Sequence, residues 1–263
     1  MKKYLNIAFW ILVAAYFFVV FGFVNGKQKE VLCTSVKVVI KDTLKHHFVN
    51  KDDLIQLIDN KIGGVLGSPM AEVNVAKLEN LIADQPYIKS AEVFKSINGY
   101  LNIEIKQRNP IIRIINENNL GFYIDNEGEL LPLSRKISLR LPVANGHISF
   151  YPDLSTSVNI FSDEYKEDAN AKVLRELSTL ATFINKDVFW KAQIEQIYVT
   201  KDLEFELVPL VGAQIILLGS IDNYKEKFRN LEATYKKGFL YKGWNKYKTI
   251  NLKYHNQVIC EKN

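Results

Sequence analysis

The sequence predicts an α+β fold in which one membrane-spanning helix is followed by two domains. Three patterns predict it. A long uncharged apolar run stands near the N-terminus, and a short unit that alternates strand and helix signals follows it. The rest of the chain reads as short strands and turns, interrupted by two helical stretches. The composition indicates folded domains, because 48% of the 263 residues are hydrophobic and 24% are charged.

The apolar run covers residues 4–24 and contains no charged residue. A helix of that length extends roughly 32 Å at about 1.5 Å per residue, enough to cross a hydrocarbon core of about 30 Å. A stub of residues 1–3 with two lysines precedes it, so we expect a signal anchor with the bulk of the chain translocated. A cleaved signal peptide is the alternative, but its apolar region would be shorter, and "FGFVNG" is a poor cleavage site.

The first domain is predicted within residues 34–109, as strand, helix, helix, strand and strand. Apolar residues and lysines in "VKVVIKD" follow the period of a half-buried strand. Asn50 and Asn74 are each placed to cap a helix with one apolar stripe. The strands "AEVF" and "YLNIEIK" follow, joined by a turn at residues 97–99. Such a unit buries two amphipathic helices on a three-stranded sheet, which makes an α+β domain.

The second domain is predicted within residues 110–263. Short strands separated by turns come first, including "IIRII", "GFYID" and "ELLPL". Helical periodicity returns from about Asp168, and a later helix carries Tyr224 and Phe228 on one stripe. We interpret this part as a mostly antiparallel β domain with two helices.

No motif for catalysis, metal binding or cofactor binding stands out in the chain. The four histidines lack partners at metal-ligand spacing, and glutamates such as Glu104 and Glu204 alternate with apolar strand residues, as on a solvated sheet face. We therefore expect no enzyme, no cofactor and no small-molecule substrate. A net charge of +5 is too small to indicate nucleic acid as a partner. Cys33 and Cys260 could pair in an oxidising compartment or remain free thiols, and the sequence leaves both open.

The C-terminal stretch "YKTINLKYHNQVIC" raises the question of what covers its strand. Apolar Ile250, Leu252 and the aromatic Tyr254 alternate with polar residues, as in a half-buried strand. A strand at the end of a chain often lies at a sheet edge, which invites pairing with another chain. Lysines and aromatic residues interleave around it. That pattern fits a core under a solvated strand, a single-stranded nucleic-acid site, or a surface that accepts an acidic partner strand.

Six local matches, in chain order, resemble the bacterial cell-division family FtsQ, called DivIB in Gram-positive bacteria. The matching segments are Gln85-Pro86-Tyr87-Ile88 with Ala91 and Val93, Gln107-Arg108-Asn109-Pro110, Ile124-Asp125 with Gly128, Leu141-Pro142-Val143 with Gly146, Leu218-Gly219, and Ile250-Asn251-Leu252-Lys253-Tyr254. The first resembles the family's Pro-Trp-Val turn, with Tyr for Trp. The second resembles its Glu-Arg-x-Pro junction, with Gln for Glu. The last resembles its Ile-Asp-Leu-Arg-Tyr strand, with Asn for Asp and Lys for Arg.

The resemblance covers the whole chain and implies a non-enzymatic divisome scaffold. It implies residues 1–3 as a cytoplasmic stub, residues 4–24 as a transmembrane helix, residues 34–109 as a POTRA domain and residues 110–263 as an FtsQ-type β domain. The protein would cross the cell inner membrane once, with its bulk periplasmic, and would collect at the division septum.

The resemblance also implies partners. The family's β domain binds FtsB/DivIC-type and FtsL-type coiled-coil division proteins by strand addition beside its last strand, and the POTRA domain docks other divisome proteins. Carried over here, that strand is Lys248 to Tyr254, with Lys253 where the family's Arg meets a partner carboxylate. The expected partner-binding residues, with Trp244 and Tyr247 added from the basic-aromatic pattern, are Trp244, Tyr247, Lys248, Ile250, Leu252, Lys253 and Tyr254.

The alternative function is a POTRA-bearing envelope chaperone or translocation accessory that handles unfolded outer-membrane substrates. The single POTRA-like unit and the missing β-barrel signal in the sequence disfavour it. A division scaffold should collect at midcell, whereas a general chaperone should spread around the envelope.

Overall fold

A computed structural model of the chain describes residues 9–19, 31–41, 48–239 and 246–262. The chain forms two compact units, Met1–Gln107 and Arg108–Asn263. Residues 9–19, which belong to the expected span 4–24, are helical, and the rest of that span and the stub lie outside the described residues. Among the described residues, no helix has both the length and the apolar character needed to cross a membrane.

The first unit confirms the expected order of strand, helix, helix, strand and strand. Its elements are β1 (Ser35–Ile40), α1 (Lys51–Ile62), α2 (Val75–Ala83), β2 (Ile88–Lys95) and β3 (Tyr100–Gln107). The sheet order is β1-β3-β2, with β1 parallel and β2 antiparallel to the central β3. This is an α+β domain with the predicted three-stranded sheet.

Capping and burial explain why this unit forms. The Asn74 side chain accepts a hydrogen bond from the Lys77 backbone N–H at 3.0 Å, which begins α2 at the predicted cap. The Asp53 carboxylate accepts from the Asn50 N–H at 3.4 Å at the start of α1. Leu101 and Ile103 of β3 are fully buried, so the centre of the sheet forms the core of the unit.

The second unit is built on one nine-stranded sheet. Its strands are β4 (Pro110–Ile115), β5 (Gly121–Asp125), β6 (Leu130–Pro132), β7 (Val143–Gly146), β8 (Ile194–Val199), β9 (Phe205–Pro209), β10 (Ile215–Gly219), β11 (Tyr247–Asn251) and β12 (Ile259–Lys262). The order across the sheet is β12-β11-β10-β9-β8-β7-β4-β5-β6. Five of its eight pairings are antiparallel, which confirms the mostly antiparallel character.

Three α-helices belong to the described part of this unit, one more than predicted. They are α3 (Ala169–Lys186), α4 (Val188–Gln193) and α5 (Tyr224–Thr234). The expectation of two helices missed α4 because this helix has only six residues. The Asp187 carboxylate starts it by accepting the N–H groups of Phe189 and Trp190 at 2.8 and 3.1 Å.

The helices cover one face of the sheet and form the core with it. Leu174, Leu177 and Ile184 of α3 are fully buried. Phe228 of α5 lies with its ring centroid 5.0 Å from that of Trp190 in α4. The aromatic contact joins the two shorter helices, α4 and α5.

Candidate partner-binding surface at the C-terminal end of the sheet

The pairing of β11 corrects the prediction that residues 248–254 form an open edge. Ile250 of β11 lies opposite Ile216 of β10 in a parallel pair and opposite Cys260 of β12 in an antiparallel pair. Both flanks of β11 are therefore filled by the chain's own backbone. The edge strand is β12, which the sequence pattern did not predict.

A turn between Asn251 and Ile259 explains why the predicted strand ends early. The Asn251 side chain accepts a hydrogen bond from the Lys253 N–H at 2.9 Å, which bends the chain out of the ladder. Asn256 adopts φ 57°, a left-handed conformation that Asn tolerates in turns. The chain then returns antiparallel to β11, so Lys253 and Tyr254 belong to a turn and not to a strand.

Two of the predicted contact residues lie in the core. Ile250 is 0% exposed and Leu252 is 2% exposed. Their side chains therefore hold the sheet together and do not face a partner, which corrects that part of the prediction. The apolar alternation does mark a buried face, and that face packs against the helices.

The other predicted contact residues differ in how much of the side chain is exposed to solvent. Lys248 is exposed, Tyr247 is half-buried against the core, and Trp244 lies outside the described residues. Tyr254 is 55% exposed, so a large aromatic surface remains open to solvent beside the turn. The structure thus leaves Lys248, Lys253 and Tyr254 accessible around the C-terminal end of the sheet.

Two contacts fix the Lys253 side chain, one at its ammonium group and one along its aliphatic part. Its ammonium forms an ion pair with Glu204, and its aliphatic part covers Gly219 at the end of β10. Gly219 adopts φ +73°, and a Cβ there would lie 3.0 Å from the Lys253 Cγ. The Leu-Gly motif is therefore explained by a backbone position that favours glycine and by the close approach of this lysine.

A small cleft opens next to Lys253, between the turn and the start of α5. Residues that line it include Ser220, Lys227, Lys253, Tyr254, His255 and Asn256. The Lys227 ammonium donates to the Ser220 carbonyl at 2.8 Å, and burial lowers the pKa of this lysine. The His255 Nδ1 lies 3.9 Å from the Glu226 carboxylate. Polar and charged groups of both signs thus surround Tyr254.

The site also includes the residues of β12, which the sequence pattern did not predict. Leu207, Ile216, Ile250 and Cys260 occupy one row across four strands, and the row ends at the half-buried Cys260. Burial raises the pKa of the Cys260 thiol, so this side chain behaves as a small neutral group at the end of an apolar row. On the opposite face Ile259 is 47% exposed. An added strand would find an apolar row to extend on one face and an exposed isoleucine on the other.

The two edges of the nine-stranded sheet differ in how they are covered. At β6, the Leu130 N–H donates to the Val158 carbonyl at 2.9 Å, and Pro132 removes a donor. The Ile160 N–H donates to the Gly128 carbonyl at 3.0 Å, which continues this cover. Within the described ranges, no further strand pairs with the outer side of β12. As far as residues 246–262 and the other described ranges show, β12 is the edge of this sheet that has no covering segment.

The described residues hold no group of three or more His, Cys, Asp or Glu side chains placed to bind a metal ion. Cys33 and Cys260 are both free thiols, the first buried and the second half-buried. The chemistry that this surface offers is recognition by backbone hydrogen bonds, apolar contact and charge.

Comparison with known families assigns both units. A family model described as FtsQ/DivIB, C-terminal related, matches residues 109–261. A model of a POTRA-like domain matches residues 31–106. No curated protein matches the chain.

Proposed function

This chain belongs to the FtsQ/DivIB C-terminal related family, and from that premise we propose that it is a membrane-anchored, non-enzymatic scaffold of the division machinery. It is a division-associated protein that carries a POTRA-like domain. In the proposed arrangement residues 4–24 anchor it in the inner membrane, and its two domains lie on the periplasmic side at the septum. Its partners are coiled-coil division proteins of the FtsB/DivIC and FtsL types.

The partner is captured by strand addition at β12. The observation that carries this proposal is the difference between the edges of the large sheet, because β6 is covered and β12 is open in the described part of the chain. Ladder hydrogen bonds to β12 supply affinity that does not depend on side-chain identity. An apolar residue of the partner extends the row that ends at Cys260.

Side chains around the edge supply specificity. Tyr254 offers an exposed aromatic anchor within the turn that leads into β12. Lys248 places positive charge on β11, one strand in from this edge, and Lys253 places it at the end of the sheet, over β10. Both charges favour acidic residues in the partner and accelerate the encounter. Because Lys253 already pairs with Glu204, a partner carboxylate would share or replace that contact.

Pull-down from detergent-solubilised membranes tests the site with the full chain and a co-expressed FtsB/DivIC-type partner. We expect Tyr254→Ala and Lys253→Glu each to reduce capture at least about fivefold, since exposed anchors contribute roughly 1–2 kcal/mol. Lys236→Glu is the matched control, because it breaks a surface pair with Glu232 that lies within one helical segment. Full capture by both site variants would count against the proposed surface.

A fluorescent fusion tests the scaffold role separately. We expect the protein to collect at midcell in dividing cells. An even distribution around the envelope would favour the chaperone alternative.

A further inference from the structure

A short segment of the second unit covers the β6 edge in the way that an additional strand would. This segment is residues 157–160, which we call the strap. Asn159 of the strap lies opposite Glu129 in an isolated antiparallel bridge. Backbone hydrogen bonds from the Leu130 and Ile160 N–H groups flank this bridge, at 2.9 and 3.0 Å. An incoming strand would need the same backbone groups, so the strap occupies a pairing site of the sheet.

The side chains of the strap follow the period of a strand. Val158 and Ile160 are 6% and 0% exposed and belong to the core of the unit. Asn159 lies between them, and its amide donates to the Glu127 carbonyl at 3.0 Å. If the strap left the edge, two core side chains and the backbone groups of residues 128–130 would become exposed.

Arg175 of α3 fixes the C-terminal end of the strap. Its Nη1 donates to the Ile160 carbonyl at 3.1 Å and to the Tyr165 carbonyl at 2.7 Å. Its Nη2 donates to the Lys166 carbonyl at 3.0 Å. The planar guanidinium thus binds the end of the strap and the turn that follows it, and Arg175 acts as a latch.

The N-terminal end of the strap is held more weakly. The Ser157 hydroxyl donates to the Glu129 carboxylate, and residues 155–157 are exposed. The Asp153 carboxylate accepts from the Ser155 N–H at 2.9 Å within the preceding turn. An exposed polar turn can change conformation without loss of core packing, so the strap can leave the edge at this end when the latch is lost.

The opened β6 edge would lie at the opposite end of the strand order from β12. Within the described ranges, β12 has no covering segment, so a chain without its strap would carry two receptive edges. Pairing of one edge with the other edge of the next copy is a heterologous contact, which need not close and can continue from copy to copy.

We propose that the strap is an autoinhibitory contact, latched by Arg175, that keeps the β6 edge from pairing with β12 of a second copy of this chain. With the strap in place the sheet receives another chain at β12 and not at β6. The inference rests on the same uncovered β12 edge as the proposed function, whereas the latch does not depend on partner capture.

The full chain in detergent tests the latch through Arg175→Ala. We expect the Leu130 and Ile160 N–H groups to exchange at least about tenfold faster than in the unmodified chain, because the strap loses three hydrogen bonds to a charged group. The mass measured by light scattering should rise with protein concentration in this variant alone, with slower exchange at residues 259–262 in the associated sample. Lys172→Ala on α3 is the matched control, since Lys172 pairs only with Glu176 among the described ion pairs, and it should behave as the unmodified chain.

A peptide supplied in trans separates loss of the cover from general destabilisation. A synthetic peptide with the sequence of residues 155–162 should return Arg175→Ala to the mass of the unmodified chain, and a peptide with the same residues in scrambled order should not. Arg175→Lys keeps the charge without the planar fork and should show the same changes to a smaller degree, which keeps the test decisive if Arg175→Ala does not fold.

Several results would overturn the proposal. They are unchanged exchange at Leu130 and Ile160 in both Arg175 variants, faster exchange without a rise in mass at any concentration, equal effects of the two peptides, or association that leaves exchange at residues 259–262 unchanged. Loss of partner capture in the pull-down of the unmodified chain, with these results as expected, would refute the proposed function alone.

Discussion

The ion pair between Arg108 and Asp125 makes the second unit sensitive to one substitution at its first residue. The Arg108 Nη1 donates to the Asp125 Oδ2 at 3.1 Å, and the Arg108 Nη2 lies 3.9 Å from the Glu129 Oε2. The Asp125 side chain is 1% exposed and that of Arg108 is 19% exposed. We expect Arg108→Ala to destabilise this unit because a buried carboxylate loses its cation.

The size of the stability loss depends on the hydrogen bonds that Asp125 keeps in the variant. Removing one partner of a buried pair costs about 3–5 kcal/mol. The other oxygen of Asp125 still accepts the N–H groups of Glu127 and Glu129, both at 2.8 Å, so the carboxylate is not left without donors. We therefore expect a loss of about 2–4 kcal/mol in the free energy of unfolding of this unit.

Urea unfolding of the full chain, followed by fluorescence, measures this loss as a shift of the transition midpoint. Trp190 is buried in the second unit and reports its unfolding, so Trp10→Phe and Trp244→Phe should be introduced in all samples. Arg108→Lys is the conservative control and should lose less, since it keeps the charge without the planar fork. A loss below about 0.5 kcal/mol for Arg108→Ala would refute the reasoning.

Three further predictions concern the same unit. Gly146→Ala should destabilise it by about 1–3 kcal/mol, because φ is +100° there and a Cβ would clash with the Val199 carbonyl oxygen. Phe228→Ala should cost about 3–5 kcal/mol, because this buried ring packs against Trp190. Burial raises the pKa of Glu176, so Glu176→Gln should stabilise the fold near neutral pH and lose that advantage as the pH falls below the ordinary glutamate range.

Proton binding by Glu176 sets how the effect of Glu176→Gln on stability changes with pH. A carboxyl whose pKa is higher in the folded state binds its proton more tightly there, so ionisation costs stability above that pKa. Urea midpoints measured across acidic and neutral pH check this. An equal advantage of Glu176→Gln at all pH values would contradict it. For Gly146→Ala and Phe228→Ala, unchanged midpoints would contradict the packing described for those positions.

Much of the fold could be predicted because its signals are local. Asn74 and Asp168 cap α2 and α3, and the alternation in residues 100–107 gives the buried row of β3. Such features depend on a few neighbouring residues, so periodicity and capping rules find them. Two elements were missed because they are short. α4 has six residues and β12 has four, too few for a period to stand out.

The candidate site could be predicted only in part because an edge is a property of the whole sheet. The alternation around Ile250 shows that one face of β11 is buried, but not which strands flank it. The turn at Asn256 is the local signal that a further strand follows, since a left-handed Asn permits a tight reversal. Tyr254 is exposed because it lies in that turn, whereas alternation alone would place this residue in a strand.

Photocrosslinking in dividing cells tests the central claim most directly. A benzophenone amino acid replaces Ile259 on β12 in one strain and Phe161 in another, since these side chains are 47% and 54% exposed and Phe161 follows the segment that covers the β6 edge. The account predicts a crosslink from position 259 to an FtsB/DivIC-type protein and none from position 161. A crosslink to that protein from position 161 alone, or from neither position while the chain is at the septum, would contradict it.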